Sequence, residues 1–318
     1  MTRFINLIIF LLAVFFLIMI LSATWIFIPL DTVNPTEKTL NIPYEYNSTR
    51  IRYLLEEEGI IRPGNVIFQL MTRIMKIDDR LQSGEYKFNS SQNLLQIIDK
   101  LVKGKVVLHK ITIPEGYQAK QIARLLADNE IAEYDKLLQL VKEENEFREG
   151  YLFPDTYSFP KNFGAANVLR IIRDNFEKIV YQHINPEQEF PANLDFNQIM
   201  ILASLVEKEA QGVADKPKIA SVFYNRLKVG MRLQSCATIQ YLLDKPKEIL
   251  TQQDLQIESP FNTYIYSGLP PEPICNPGLD SILAVVNPVE EEYIYFVLGK
   301  DGEHVFSKTY QEHLDNKP

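Results

Sequence analysis

Histidine is scarce in this chain of 318 residues: His109, His183, His304 and His313 are the whole supply, and none has the spacing that holds a metal ion. Metal-dependent hydrolysis is therefore not expected. Basic residues (33) are outnumbered by acidic ones (41), for a formal charge of -8. No basic stripe breaks that balance, so nucleic acid is not an expected partner. No serine sits in a nucleophile-elbow pattern and no phosphate loop is present. No cofactor is implied. Cysteine is limited to Cys236 and Cys275. What these absences leave is carboxylate chemistry, on a neutral or polar substrate.

One long apolar run stands out. From Phe4 to Ile28 the only clearly polar side chains are Asn6, Ser22 and Thr24, and the run is long enough to cross a hydrocarbon layer of ~30 Å. Arg3 and the amino terminus precede it and Asp31 follows, so the positive-inside rule places residues 31–318 outside the cytoplasm. The competing reading is a cleaved signal peptide. Such peptides have apolar regions of about 7–15 residues and a small-x-small cleavage site, and no convincing site is found, which favours a retained single-pass anchor. Both cysteines lie in the exported part. In an oxidising compartment a Cys236–Cys275 disulfide is the expectation, closing a loop of about 40 residues and stabilising by roughly 4 kcal/mol on the chain-entropy model; two buried free thiols are the alternative.

A shift that carries Pro43 onto Pro114 lays Leu40, Ile42, Tyr46, Ile51, Leu54, Leu55 and Ile60 over Ile111, Ile113, Tyr117, Ile122, Leu125, Leu126 and Ile131. Each copy alternates into its proline and then takes up helical spacing, the pattern of a strand, a turn and an amphipathic helix. Between the copies, Gly84 to Phe88 reads as a strand and Asn93 to Leu101 as a helix stopped by Gly104. The expected fold is α+β: residues 1–30 as cytoplasmic tip and transmembrane helix, 31–108 as a small α+β subdomain, and 109–318 as a mixed α/β catalytic domain. Within the last, Glu149 to Tyr157 is too aromatic and too broken by Gly and Pro for a regular element. Its rings could stack on sugars or plug a core. Helices follow at about 165–182, 196–210 and 215–229, the last stopped by Gly230. A Pro-rich loop spans Ser259 to Gly278, a helix lies near 279–287, and a hairpin joins Tyr293–Leu298 to Val305–Phe306 across Asp301-Gly302.

The helix at 196–210 carries the chemistry. Asp195 with Gln198 reads as its capping box, and its apolar run ends in Glu207-Lys208-Glu209. At about 100° per residue, Glu209 shares a face with Leu202, Leu205 and Val206, whereas Glu207 points roughly 200° away. The two carboxylates cannot face one cleft. Glu209 lies over the bulkier apolar stripe and is the expected buried acid, its pKa raised toward neutrality by apolar neighbours; Glu207 is the expected ion-pair or hydrogen-bond partner. A structural helix emerging into water at a polar last turn fits the same residues.

Four blocks, Glu149-Gly150-Tyr151-Leu152-Phe153-Pro154-Asp155-Thr156, Leu202 to Glu209, Val222 to Leu227 with Gly230 to Gln234, and Ser259 to Tyr264 with Gly268 to Pro271, resemble the MltG (YceG-like) endolytic murein transglycosylases of bacteria. The blocks run in family order behind the same kind of anchor, over essentially residues 1–314. The resemblance implies a LysM-like portion at 31–108 and a YceG-like catalytic domain, with the essential acid falling on Glu209. It implies a lyase that cleaves the bond between N-acetylmuramic acid and N-acetylglucosamine, leaves a 1,6-anhydromuramyl end, and terminates or releases nascent strands. Expected partners are peptidoglycan glycan strands, the bacterial inner (cytoplasmic) membrane and the peptidoglycan synthases. Tyr151, Phe153, Asp155, Gln234, Asn262 and Tyr264 are candidates for holding the glycan. One departure is Cys236-Ala237, where many members carry Asp-Pro; any role of that aspartate does not transfer. A muramidase, needing a second carboxylate about 5–9.5 Å from Glu209 with Asp155 as the candidate, and a non-enzymatic murein-binding scaffold remain as rivals.

Overall fold

The computed structural model describes every residue except Met1, Tyr44, Glu45, Asp244, Asp301 and Pro318, together with all side chains but those of Thr2 and Arg3 among the rest. The chain divides into two compact units, residues 1–109 with 160–162, and residues 110–159 with 163–318.

The first unit opens with α1 (Thr2–Phe27), within which Phe4–Phe27 is long and apolar enough to cross a membrane. It continues through β1 (Glu37–Ile42), α2 (Ser48–Glu57), α3 (Val66–Ile74), β2 (Gly84–Asn89) and α4 (Leu94–Val102). The two strands pair antiparallel, Glu37 opposite Asn89 and Ile42 opposite Gly84. Alternation puts Ile42, Tyr86 and Phe88 on the inner face, where they meet Ile51 and Leu55 of α2, Phe68 of α3 and Ile97, Ile98 and Leu101 of α4. Asn93 caps α4 with the reciprocal bonds of a capping box to Gln96.

The second unit begins inside β3 (His109–Thr112), at Lys110, and runs through α5 (Ala119–Asp128), α6 (Tyr134–Glu143), β4 (Thr156–Phe159), α7 (Ala165–Val180), α8 (Phe196–Glu209), α9 (Lys216–Lys228), α10 (Cys236–Leu242), α11 (Leu279–Val286), β5 (Tyr295–Leu298), β6 (His304–Ser307) and α12 (Tyr310–Asp315). Strands pair as β3 with β4 and, antiparallel, β5 with β6. Of the hairpin turn read across Asp301-Gly302, Asp301 lies outside the described residues. The repeat is present as local structure: β1 and α2 in one copy, β3 and α5 in the other, with Ile51 and Leu55 buried in the first and Ile122 and Leu126 in the second.

α8 forms the axis of this unit. Every residue from Ile199 to Val206 is buried, because α9, α10 and α11 all pack on it. Asp195 caps it through Gln198, as its sequence predicts. α9 stops where Gly230 takes up φ +71 and donates to the Leu227 carbonyl while Met231 N reaches the Arg226 carbonyl, a left-handed cap that glycine adopts without strain. The sequence did not predict α3, α6, α10 or α12, and the segment read as a wholly irregular aromatic loop ends in β4.

Candidate active site

Glu209 is the last residue of α8, so its side chain leaves the packed part of the helix. It is half-buried. Its Oε1 accepts from Ser235 Oγ at 2.5 Å and from Ala237 N at 3.4 Å. Among the described residues no partner meets Oε2. The expectation of a carboxyl enclosed by apolar side chains is therefore corrected: Leu202, Leu205 and Val206 are spent inside the core, and Glu209, a turn beyond them, meets a hydroxyl and an amide.

Glu207 is the buried acid of the two. Its Oε2 accepts from Lys216 Nζ at 3.3 Å, Gly278 N at 3.1 Å and Ser281 Oγ at 2.6 Å, and both its side chain and that of Lys216 are almost fully buried. Lys216 also reaches Glu115 at 3.5 Å. Helical phase separates the two carboxylates as the sequence predicts, and the partner role falls on Glu207.

Two loops and a buried arginine hold the Ser235 hydroxyl in place. Gln234 N donates to Thr263 O at 3.1 Å and Ser235 N to Thr263 Oγ1 at 3.0 Å. Thr238 Oγ1 binds Ser235 O at 2.8 Å. Arg226 of α9, buried, gives Nη1 to Leu233 O at 2.5 Å and Nε to Ile294 O at 2.8 Å; burial lowers its pKa from the usual arginine range. Gln234 itself adopts φ +50, a conformation uncommon outside glycine and one that clusters at functional sites. Removing the Ser235 hydroxyl should leave Glu209 with one weaker donor. Ser235→Ala is expected to lower kcat roughly tenfold with KM little changed, the worth of one hydrogen bond to a charged group; steady-state kinetics on soluble glycan strands would measure it.

The six glycan-binding candidates separate. Gln234 is exposed beside Ser235, and half-buried Tyr264 puts its hydroxyl 2.9 Å from Cys236 Sγ. Burial first, then the Cys236 thiol and the Glu209 charge, push the Tyr264 phenol well above the usual tyrosine range. Tyr151 and Phe153 are corrected: both are buried, packed on Phe176, so the aromatic segment plugs the core and offers no stacking platform. Tyr151 Oη meets Arg148 at 2.9 Å and Asn197 at 3.3 Å. Asn262 is fully buried; it donates to Leu255 O and Ile257 O and accepts from Tyr264 N, shaping the loop from within. Asp155 is exposed, accepts from Asn175 of α7, and shares with Asp174 and Lys178 a shallow pocket that Glu209 does not line. Among the described residues no contact ties Asp155 to Glu209, so the muramidase reading gains no support there.

The disulfide is also corrected, since Cys236 and Cys275 are both free. Cys275 is buried against α8, its thiol donating to Ser204 O at 3.4 Å, while Cys236 is exposed at the start of α10. The two thiols have separate partners, Ser204 O for Cys275 inside the core and Tyr264 Oη for Cys236 at the surface. Thiol titration should count no more than one reactive group in the native protein, Cys236, and two after denaturation without reductant, with Tm unmoved by reductant. Although the residue reaches solvent, the chain packed around its sulfur partly desolvates it and raises the Cys236 pKa, with the Glu209 charge adding to this, so its native labelling should accelerate above neutral pH.

Sequence reasoning missed Ser235, Thr263, Arg226 and the framework around Asn276. That asparagine is fully buried. Its Oδ1 accepts from Gly150 N and Leu152 N, both at 2.9 Å, and its Nδ2 donates to Tyr117 O at 2.9 Å and Glu149 Oε1 at 2.7 Å. Glu149 in turn accepts from Ala119 N at the start of α5. Gly150, at φ +91, lies so close to Pro273 that a Cβ would come within 2.6 Å of it, which explains a glycine there. A separate groove of about 1260 Å³ lies at the opposite end of α8, between Gln198, Tyr224, Lys228 and the Gly268–Pro271 stretch; it does not include Glu209.

The YceG-like family model matches residues 40–318. An endolytic murein transglycosylase of Bacillus subtilis (strain 168) is 34% identical over 310 residues, covering 90% of this chain and 85% of the relative. Another, from Streptococcus pneumoniae serotype 2, is 28% identical over 91% of this chain, which spans 59% of that longer relative. A crystal structure of a YceG-like protein from Listeria monocytogenes is 30% identical with a TM-score of 0.57, covering 89% of this chain and 100% of that one. With a family match over most of its length and a relative above 30% identity across nearly all of it, this chain belongs to the YceG-like family.

Proposed function

We infer that the protein is a membrane-anchored peptidoglycan lytic transglycosylase that cuts glycan strands internally between N-acetylmuramic acid and N-acetylglucosamine, with Glu209 as the sole proton carrier. The observation that carries the assignment is the division of labour at the end of α8. Glu207 is neutralised and enclosed, while Glu209 has one oxygen held and the other open. One available carboxyl suits a reaction that consumes no water; an ordinary glycosidase uses two.

Glu209 gives its proton from Oε2 to the bridging oxygen as the C1–O bond of the muramyl residue breaks. The resulting carboxylate, steadied on Oε1 by Ser235 and Ala237, takes the proton of the muramyl 6-hydroxyl as that oxygen bonds C1. The proton count closes and the product carries a 1,6-anhydro ring. One group serving as acid and then base is the ordinary economy of such catalysis. Gln234 and Tyr264, on the rim beside Glu209, are the side chains that would hold the glycan. The strand, helix, helix, strand order of residues 37–89 supports keeping the LysM-like reading of the first unit.

The anchor fits a cut made beside the membrane, where new strands are polymerised by the synthases. The charge asymmetry of Arg3 and Asp31 around the span supports a cytoplasmic amino terminus and an extracytoplasmic catalytic domain. The test is the length distribution of products from purified, uncrosslinked strands. Internal cutting removes long strands early and leaves oligosaccharides with anhydro ends; accumulation of disaccharides alone from the outset would refute the endolytic reading, and binding without cleavage would favour a scaffold.

A further inference from the structure

In the first unit, α3 carries apolar side chains on its exposed face as well as on its buried one. Its inward side chains include Phe68 and Thr72, while Val66, Leu70 and Ile74, one turn apart along the opposite face, are 66%, 56% and 71% exposed. Met75 extends the stripe. α4 in the same unit shows the ordinary arrangement, with Leu94, Ile97, Ile98 and Leu101 inside and Gln96 and Lys103 outside. Apolar side chains at every outward turn of a short helix mark a surface that is covered in use.

The covering is identified by what lies next to it. The carboxyl end of α1 packs against α3 and α4. Arg62, four residues before α3, donates to Thr24 O and Pro29 O, both at 3.3 Å, and holds its guanidinium 6.0 Å from the Trp25 ring. Immediately after the span, Asp31 N bonds Ser90 O and Thr36 N bonds Ser90 Oγ. The folded unit is thus clamped to the end of the apolar helix, with no free tether between them. A tryptophan and an arginine at that junction are the residues expected at headgroup level. Phe27, Ile28 and Leu30 continue the exposed apolar surface from the span toward the unit, and Arg73 and Lys76 flank the stripe with positive charge.

We propose that α3 lies in the membrane interface, its Val66–Leu70–Ile74 stripe among the upper acyl chains and Arg73 and Lys76 at the headgroups, so that the first unit rests on the bilayer rather than standing off it. This rests on reading α1 as a membrane span. An interfacial helix of this kind needs an apolar face and flanking basic residues, and the attached anchor removes the cost of recruiting it.

The test uses the full chain carrying Cys236→Ser, with single cysteines introduced at Leu70, Ile74 or Phe16, labelled with an environment-sensitive fluorophore and reconstituted in vesicles of phosphatidylcholine and phosphatidylglycerol. Leu70→Cys and Ile74→Cys replace exposed side chains and should fold normally. Labels at both positions should be quenched by lipids bearing a nitroxide just below the headgroup and protected severalfold from aqueous iodide. Full iodide quenching with no lipid quenching would overturn the proposal. Protection from both quenchers that grows with the protein-to-lipid ratio would also overturn it, pointing to a second copy on the stripe. The Phe16→Cys label separates the two readings: if a nitroxide deep in the bilayer fails to quench it, the anchor is wrong, whereas deep quenching there with a water-exposed Leu70→Cys label removes only the interfacial helix.

Discussion

Glu209→Gln is expected to lower anhydro-product formation by roughly 10²–10⁴-fold while leaving the protein folded, the usual worth of a positioned proton donor. The variant is well suited to the question because the amide keeps an oxygen for the bonds from Ser235 Oγ and Ala237 N. Packing should be unaffected, since α8 has already delivered its apolar residues to the core by Val206. What is lost is a proton to give and a base to take one back. Both kcat and kcat/KM should fall together, because the interaction removed is made only at the transition state. Unchanged Tm, unchanged sedimentation with insoluble murein and absent anhydro ends would together isolate chemistry from folding and binding. Retained formation of anhydro ends would remove Glu209 from the mechanism. Glu207→Gln should behave differently, weakening the Lys216 ion pair and lowering stability before it affects the chemistry.

The largest loss of stability should come from Asn276→Ala. One side chain there satisfies Gly150 N, Leu152 N and Tyr117 O and also binds Glu149. Truncation leaves two buried amides without an acceptor, at a cost of about 1–3 kcal/mol each. A total of roughly 3–5 kcal/mol is expected, a fall in Tm on the order of 10 °C for a unit of this size. Thermal or urea unfolding would measure it. The same framework sets a pH dependence. Burial pushes the Glu149 pKa up to about 8, against the opposing pull of the Ala119 amide and the Asn276 side chain. A carboxyl whose folded pKa lies above its unfolded value favours the folded state fully below the unfolded pKa, and that contribution is lost as pH rises through the folded pKa. Between about pH 4.5 and about 8 the contribution of Glu149 should therefore decline, and Asn276→Ala, lacking a donor to the carboxylate, should extend the decline to higher pH. A loss below 1 kcal/mol would show that water or a shifted loop replaces the asparagine.

The most legible parts of the sequence were those governed by period and by capping. The limits of α8 follow from Asp195 and Gln198 at one end and the switch to charge at the other, and the opposed directions of Glu207 and Glu209 follow from 3.6 residues per turn. The duplicated strand and helix were legible for the same reason. Burial was not, because it depends on what packs from elsewhere in the chain. Glu209 sits over an apolar stripe on a helical wheel, yet the stripe ends a turn before it. Tyr151 and Phe153 lie in a Gly- and Pro-broken segment that suggests an open loop, yet α7 closes over them. Ser235, Thr263 and Asn276 sit on connecting segments whose course no periodicity encodes. α3 was missed because its apolar residues occupy both faces, which removes the contrast that marks a surface helix. The cysteines show a further limit: loop length describes the entropy a bridge would remove, and says nothing of whether two thiols point at each other.

The central claim is that Glu209 drives bond cleavage without water. It is tested most directly by letting the wild-type protein cut uncrosslinked strands in water enriched in heavy oxygen and weighing the new muramyl ends. Ends lighter by one water than a hydrolysed sugar, carrying no heavy oxygen, are the result this mechanism requires. Heavy oxygen built into those ends would contradict it and identify a hydrolase.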